Sequence, residues 1–249
     1  MDPNEKRSRE ELARALEESE KAYRELAVLS YSVAHDLRAP LRKIGGFSQI
    51  LLEEHSKGLG EEAKQYLRRL QDAGQTMSRL LEALMKLVSL ARAEARREPV
   101  DLSAIAQAAA EALREAEPGR EVEFAIQPGV KALGDPDLLA EVLEDLLGNA
   151  WKFTSRHPRA RIEFGTAERE GKTAYFVRDD GAGFDPLHAA KLFLPFQRLH
   201  AEAEFPGVGA GLAVVRAVVS LHGGEVSAEG ELEKGATFFF TLGRPSGAA

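Results

Sequence analysis

Two successive stretches of this chain carry apolar residues at the same unusual rhythm. Between residues 10 and 37, Leu12, Leu16, Tyr23, Leu26, Val33 and Leu37 fall on alternating steps of four and three, with Ser19 and Ser30 as polar members of the series. Steps of that kind average about 3.5 residues, the period of a helix that keeps one stripe turned toward a partner helix. Residues 60–95 repeat the spacing with Ala63, Leu67, Leu70, Gly74, Met77, Leu81, Leu84, Val88 and Ala91. Between the two runs, "EEHSKGLGEE" contains two glycines and reads as a turn. The prediction is a hairpin of two long amphipathic helices. A hairpin with seams this strong does not bury both faces alone, so pairing with a second copy into a four-helix bundle is the simplest solution. A monomeric hairpin packed on the rest of the chain is the plainer alternative. The first seam begins long before anything it can fold back on, which favours the dimer.

The remainder is organised differently. Pro99 in "RREPVDLSA" breaks the rhythm, and the segment reads as a linker leading into a capped helix near Asp101. Strands are expected at "EVEFAIQ", "ARIEFGT", "TAYFVRD", "GEVSAEG" and "ATFFFTLG", and helices from about Asp101, Asp135, Pro186 and Ala210. "EREGKT" reads as a hairpin turn, and the tail "GRPSGAA" as frayed. The fold class is therefore α + α/β: a helical hairpin followed by a mixed sheet with helices on one face. Hydrophobic residues make up 44% of the 249 and charged residues 29%, enough for a packed core. A net charge of -7 argues against nucleic acid or anionic membrane as a partner. The absence of cysteine excludes disulfides and thiol catalysis. No apolar run is long enough to span a bilayer, so a cytoplasmic location is expected, with any sensor domain outside this chain.

Four short segments carry the candidate chemistry. "SVAHDLRAPLR", residues 32–42, sets His35 beside Asp36 and places Pro40 inside an otherwise helical stretch. Pro40 cannot donate to the carbonyl of Asp36, which weakens the helix one turn from the histidine. "EDLLGNAWKF" turns Leu139, Val142, Leu143, Leu146, Leu147 and Ala150 toward a core and leaves Asp145, Asn149 and Lys152 on another face. A carboxylate, an amide and an ammonium on one stripe suit a metal-bound phosphate, and an ordinary solvated face fits as well. "RDDGAGFD" places Asp179 at a strand end, where it can accept a hydrogen bond from an exocyclic amine, with Gly181 and Gly183 allowing close backbone approach or simply making a tight turn. "PGVGAGLAVV" is glycine-rich and runs into a helix, whose terminal amides favour phosphate. It lacks the preceding strand of a dinucleotide fingerprint and the lysine of a P-loop. Between the glycine clusters lies a segment about as long as a mobile lid, with Phe193 and Phe196 as anchors or core, and Arg198 within reach of a terminal phosphate.

In their order, these segments resemble the catalytic core of a bacterial two-component sensor histidine kinase. "HDLRAPL" is similar to the H box, "DLLGNAWKFT" to the N box, "DDGAGF" to the first glycine box, "LFLPFQRL" to the F box and "GVGAGL" to the second glycine box. The wording "GNAWKFTSR" and "PFQRLH" is most similar to kinases attached to bacterial phytochromes. The resemblance implies a signalling helix over residues 1–30, a dimerisation and phosphotransfer hairpin over 31–97, and a Bergerat-type (GHKL) ATP-binding α/β sandwich over 98–249. His35 would be phosphorylated and Asp36 would orient it as general base. ATP would be held by Asn149, Lys152, Phe153, Asp179, Gly181, Gly183, Arg198, Gly207, Gly209, Gly211 and Leu212, and Mg2+ by Asn149 and Asp145. Partners implied are a second copy of the chain and a response regulator, with Ile44, Phe47 and Leu51 as candidate docking residues or bundle core. The other histidines, His55, His157, His188, His200 and His222, have no motif support and read as solvated or structural.

Three residues depart from the family pattern. Asp145 stands where asparagine is usual, a change that strengthens metal binding or admits hydrolysis of ATP. Val208 and Ala210 replace a threonine and a larger aliphatic. Ala39 stands where relatives with strong phosphatase activity carry a polar residue. An ATPase driving conformational change, and a degenerate kinase acting as a dimeric relay, are the competing readings.

Overall fold

The computed structural model describes residues 30–199, 204–205 and 207–243. The expected signalling helix before residue 30, His200 and the end of the "GRPSGAA" tail lie outside the described residues. The chain divides into two compact units, one ending at Val88 and one beginning at Ser89.

The first unit is the predicted hairpin. Its first helix, α1, is described over residues 30–53 and runs unbroken through Pro40. A single 3-10 turn at Ser56–Gly58 leads to α2, Glu61–Leu90. Glu61 and Glu62 place negative charge on the first turn of α2, where the helix dipole favours it. The hairpin's own core consists of Ala34, Leu41 and Leu81, with Met85 packed against them. Ala34, Leu41 and the buried Ser48 recur every seven residues. The expected seam of α1 occupies a different stripe, whereas Leu81 of the expected α2 seam belongs to this core. Val33, Leu37, Ile44, Phe47 and Leu51 continue the four-and-three steps along α1 and all remain exposed, Phe47 at 66%. Leu70 and Met77 on α2 are exposed as well. Two helices cover one stripe each, so the stronger apolar stripe is left over.

In the second unit, five strands form a sheet in the order β2-β4-β5-β7-β6. They are β2 (Val122–Ile126), β4 (Ala160–Arg169), β5 (Lys172–Asp179), β6 (Val226–Glu231) and β7 (Gly235–Phe240). Only the β2–β4 pair is parallel. The turn between β4 and β5 has Glu170 and Gly171 at φ 51 and 72, the backbone that a two-residue hairpin demands. Among the described residues of this unit, three α-helices accompany the sheet: α3 (Leu102–Ala116), α4 (Pro136–Phe153) and α5 (Gly211–Leu221). The Asp101 side chain caps α3 by accepting from the Ala104 amide. Leu139, Val142, Leu143, Leu146 and Leu147 of α4 are buried, together with Ile162, Phe164 and Val177 of the sheet.

Two expectations need correction. The segment read as a linker contains strand β1, Glu98–Asp101, which pairs antiparallel with β3, Lys131–Gly134. Pro99 is compatible with this short two-stranded ribbon, because no central ladder requires its missing N–H. The helix expected from Pro186 is a short 3-10 segment, Pro186–Lys191, capped by Asp185. Among the described residues, no helix is long and apolar enough to cross a membrane.

The N-terminus of α4 is held by a buried polar junction. The Asp135 carboxylate accepts from the Asp137 and Leu138 amides and from the Arg96 guanidinium through two nitrogens, at 2.9 and 3.0 Å. Arg96 holds the Asp135 carboxyl well below the usual carboxylate range. The Asp135 amide donates to Nε2 of His222 at 2.9 Å, and Nδ1 of His222 bonds the Val218 carbonyl at 2.8 Å. His222 is fully buried, so the structural reading of this histidine holds. His222→Leu keeps the volume and strands the buried Asp135 amide, a loss of about 2 kcal/mol. The chain's single tryptophan, Trp151, lies on α4 and reports this unit alone, so denaturant unfolding followed by its fluorescence measures the loss.

Candidate functional site

Part of α4 that does not face the core lines a cavity of about 210 Å³ in the second unit. Asp145, Asn149, Lys152 and Phe153 form one wall. Asp179 and Gly183 lie where β5 ends, Arg198 and Phe205 in the segment before α5, and Gly207, Gly209, Gly211 and Leu212 at the entry to α5. Every ligand-binding candidate from the sequence is thus on this wall except Gly181, which touches Asp179 from behind. Its amide donates to Asp179 Oδ1 at 2.9 Å.

Asp179 is only 4% exposed. Burial pushes its carboxyl up to about 7, against the lowering effect of the Gly181 and Ala236 amides that donate to it. The two glycines of this loop are required sterically. A side chain at Gly181 would meet the Phe153 carbonyl at 2.5 Å, and Gly183, at φ 60, would collide with the Glu231 carbonyl. The Ala182 amide donates to that same Phe153 carbonyl at 3.1 Å, tying the loop to the end of α4.

Lys152 is half-buried. Burial holds its ammonium below the usual pKa, Arg198 adds to the effect and Asp145 opposes it. Its Nζ lies 4.3 Å from the centre of the Phe153 ring. A site that has already desolvated a cation suits a multiply charged anion. Arg198, expected to reach a terminal phosphate, lines the cavity and donates through Nη2 to the Phe205 carbonyl at 2.8 Å.

In the described part of the segment between the glycine clusters, Phe196 is tied to the second cluster. The Phe196 amide donates to the Gly209 carbonyl at 2.8 Å. Gly209 has φ 70, and a side chain there would meet the Gln197 carbonyl at 2.5 Å. Phe193 is buried edge-on against Phe238, 6.4 Å between centroids, so it serves as core. Phe196 stays 41% exposed. Residues 200–203 and 206 lie outside the described residues. The sequence reading did not find Phe205, Phe184 or Phe238. Phe205 is buried with its ring 4.9 Å from Phe153, and all three supply apolar wall.

The donor set also fits a hard divalent ion. Asp145 and Asn149 are one turn apart on the cavity side of α4 and offer oxygen ligands, and magnesium takes its remaining ligands from water and phosphate. Among the described residues, no group of three or more His, Cys, Asp or Glu side chains could hold a metal by itself.

His35 and Asp36 belong to the other unit. Both are exposed on α1, with side chains 66% and 77% accessible, and Nδ1 of His35 lies 3.2 Å from Asp36 Oδ1. An ionised carboxylate can only accept, so in the neutral imidazole this contact favours the tautomer with its proton on Nδ1 and Nε2 free. Ala39, one turn on, is also exposed and offers no polar atom.

Comparison with known proteins brings the two units under one description. The family of histidine kinase-, DNA gyrase B- and HSP90-like ATPases matches residues 134–246, and the His Kinase A (phospho-acceptor) domain matches residues 25–93. Cyanobacterial phytochrome A of Nostoc sp. is 29% identical over 95% of this chain and 31% of its own length. The methanogenesis regulatory histidine kinase FilI of Methanothrix harundinacea is 32% identical over 96% of this chain and 27% of its own. The chain spans about a third of the length of the curated relatives it matches. The crystal structure of full-length ShkA in complex with AMPPNP matches 86% of this chain and 45% of that one, with a TM-score of 0.62 at 27% identity.

The buried Asp179 has a measurable consequence. Its carboxyl sits near 3.8 when unfolded and about 7 when folded, so the folded state binds the extra proton and loses stability as pH rises through that window. The loss is on the order of 4 kcal/mol at about pH 8. Asp179→Asn keeps an acceptor for the two amides and removes the charge. Its unfolding free energy, read from Trp151 fluorescence, should equal that of wild type near pH 4 and exceed it at pH 8. Identical pH profiles would contradict this.

Proposed function

The chain carries the catalytic core of a sensor histidine kinase, and on that premise we propose that it transfers the γ-phosphoryl group of ATP to His35 and then to an aspartate of a response regulator. The observation that carries the proposal is the pairing of two sites of opposite character. One is a cavity with a buried carboxylate at one end and a lysine, an arginine and a helix N-terminus at the other. The second is an exposed imidazole whose Nδ1 is engaged by a carboxylate.

In the cavity, Asp179 accepts from the exocyclic amine of adenine, and Phe153, Leu212 and the apolar wall cover the ring. Lys152, Arg198 and the amides at the start of α5 neutralise the phosphates. Asn149 and Asp145 would hold magnesium, which supplies further positive charge against the phosphate oxygens. Phosphoryl transfer asks for alignment and charge neutralisation more than for covalent help, and these groups supply both. On α1, Asp36 fixes the tautomer of His35, presents Nε2 for attack and stabilises the positive charge that grows on the ring. The exposure of both residues suits a nucleophile that must receive a group from one protein surface and give it to another.

Assembly as a homodimer follows from the uncovered stripe Val33, Leu37, Ile44, Phe47 and Leu51, which has the period of a bundle seam. That continuity supports a place for Ile44, Phe47 and Leu51 in the bundle rather than in regulator docking. Ala39 disfavours net phosphatase activity, since the side chain at that position, one turn after His35, has no polar atom to orient water.

Incubation with γ-labelled ATP and magnesium tests the proposal. Acid-labile, alkali-stable label should appear on the protein and vanish in His35→Ala. Asp36→Asn should slow labelling by about two orders of magnitude or more while leaving ATP affinity unchanged. Release of free phosphate with no protein label would instead identify an ATPase, and no nucleotide binding at all a relay module.

A further inference from the structure

Among the described residues, Asp145 is the acidic side chain that stands with Asn149, Lys152, Arg198 and the N-terminus of α5, a set otherwise suited to holding negative charge. Its position follows from Gly211. A Cβ built on Gly211 would lie 3.0 and 3.3 Å from the two carboxylate oxygens, so the missing side chain is what lets the carboxylate approach the first turn of α5. Ala210, at the N-cap of that helix, has no polar side chain to serve the terminal amides. A carboxylate at this helix end is favoured by the dipole, as a phosphate would be. Asp145 also interacts electrostatically with Lys152, in the opposite sense to Arg198.

We infer that Asp145 makes nucleotide binding depend on a divalent cation, by placing a negative charge at the positions a nucleotide's phosphates would use. The inference rests on the reading of this cavity as the ATP site. A metal-free polyphosphate meets the Asp145 carboxylate in the same space and is repelled, or must displace it from the helix end. A divalent ion placed between carboxylate and phosphate turns that repulsion into shared coordination. The positive groups of the site alone would bind metal-free ATP. Asp145 cancels part of their field, and so selects against the uncomplexed nucleotide.

The experiment is equilibrium titration of the full chain with ATP in excess chelator, with ATP and magnesium, and with ADP and adenosine in chelator. Wild type should favour the magnesium complex strongly. Asp145→Asn should tighten metal-free ATP about tenfold, as expected for removing one charge a few ångström from several others. The gain should be smaller for ADP and absent for adenosine, and Asp145→Ala should behave alike. A purely structural effect would move adenosine equally and would not scale with phosphate number. If adenosine binds normally and metal-free ATP is not tightened in either variant, the inference is overturned and the ATP site stands. If no nucleotide or adenosine binds wild type under any condition, both fail.

Discussion

The Asp135 carboxylate is the point from which the second unit is set out. It caps α4, receives Arg96 from the segment ahead of β1, and belongs to the residue whose amide closes on the buried His222 at the end of α5. Arg97 adds bonds to the carbonyls of His222 and Gly243. One junction therefore fixes the start of α4 relative to the end of α5 and the strand that follows the hairpin. The functional demands on α4 explain why its position matters. One stripe of the helix is core and the other is cavity wall, so any rotation that loosened the leucines would also turn Asp145, Asn149 and Lys152 away from the entry to α5.

The cavity then works through contrasts of environment that the fold imposes. Asp179 is buried where β5 ends, and its carboxyl is pushed up as the consequence. Such a group is costly to the fold and useful to a ligand that donates a hydrogen bond. At the other end, Lys152 is partly desolvated beside Arg198, an arrangement that disfavours the empty site and favours an anion. Neither group is placed for stability. The glycines between them serve the same end, because Gly181, Gly183 and Gly209 bring backbone within contact distance where a Cβ would strike a carbonyl oxygen.

Much of this was legible in the sequence, and the parts that were not have physical reasons. The long helices of the hairpin within the described residues, the cap at Asp101, the helix start at Asp135 and the turn within "EREGKT" each rest on local rules, and each appears. Strands β1 and β3 are four residues long and gain their meaning only from pairing with each other, which no local pattern encodes. Periodicity found the Val33–Leu37 stripe but could not say that Ala34 and Leu41 make the hairpin's own core, because small residues give a weak signal at close helix contacts. Among the site residues, those with charge or glycine were readable from order and spacing. Phe184, Phe205 and Phe238 were not, since an aromatic wall residue looks the same in sequence as a core residue.

On the hairpin, exposure of His35 beside Asp36 leaves the direction of attack to a single contact between neighbouring side chains. If Asp36 engages Nδ1, the phosphoryl group must arrive on Nε2. Phosphorus NMR of the intact chain, incubated with ATP and magnesium and kept above neutral pH, distinguishes the two phosphohistidine isomers directly. The account predicts one phosphoramidate resonance, that of the Nε2 isomer, absent in His35→Ala. A resonance of the Nδ1 isomer, or one that persists without His35, would contradict it.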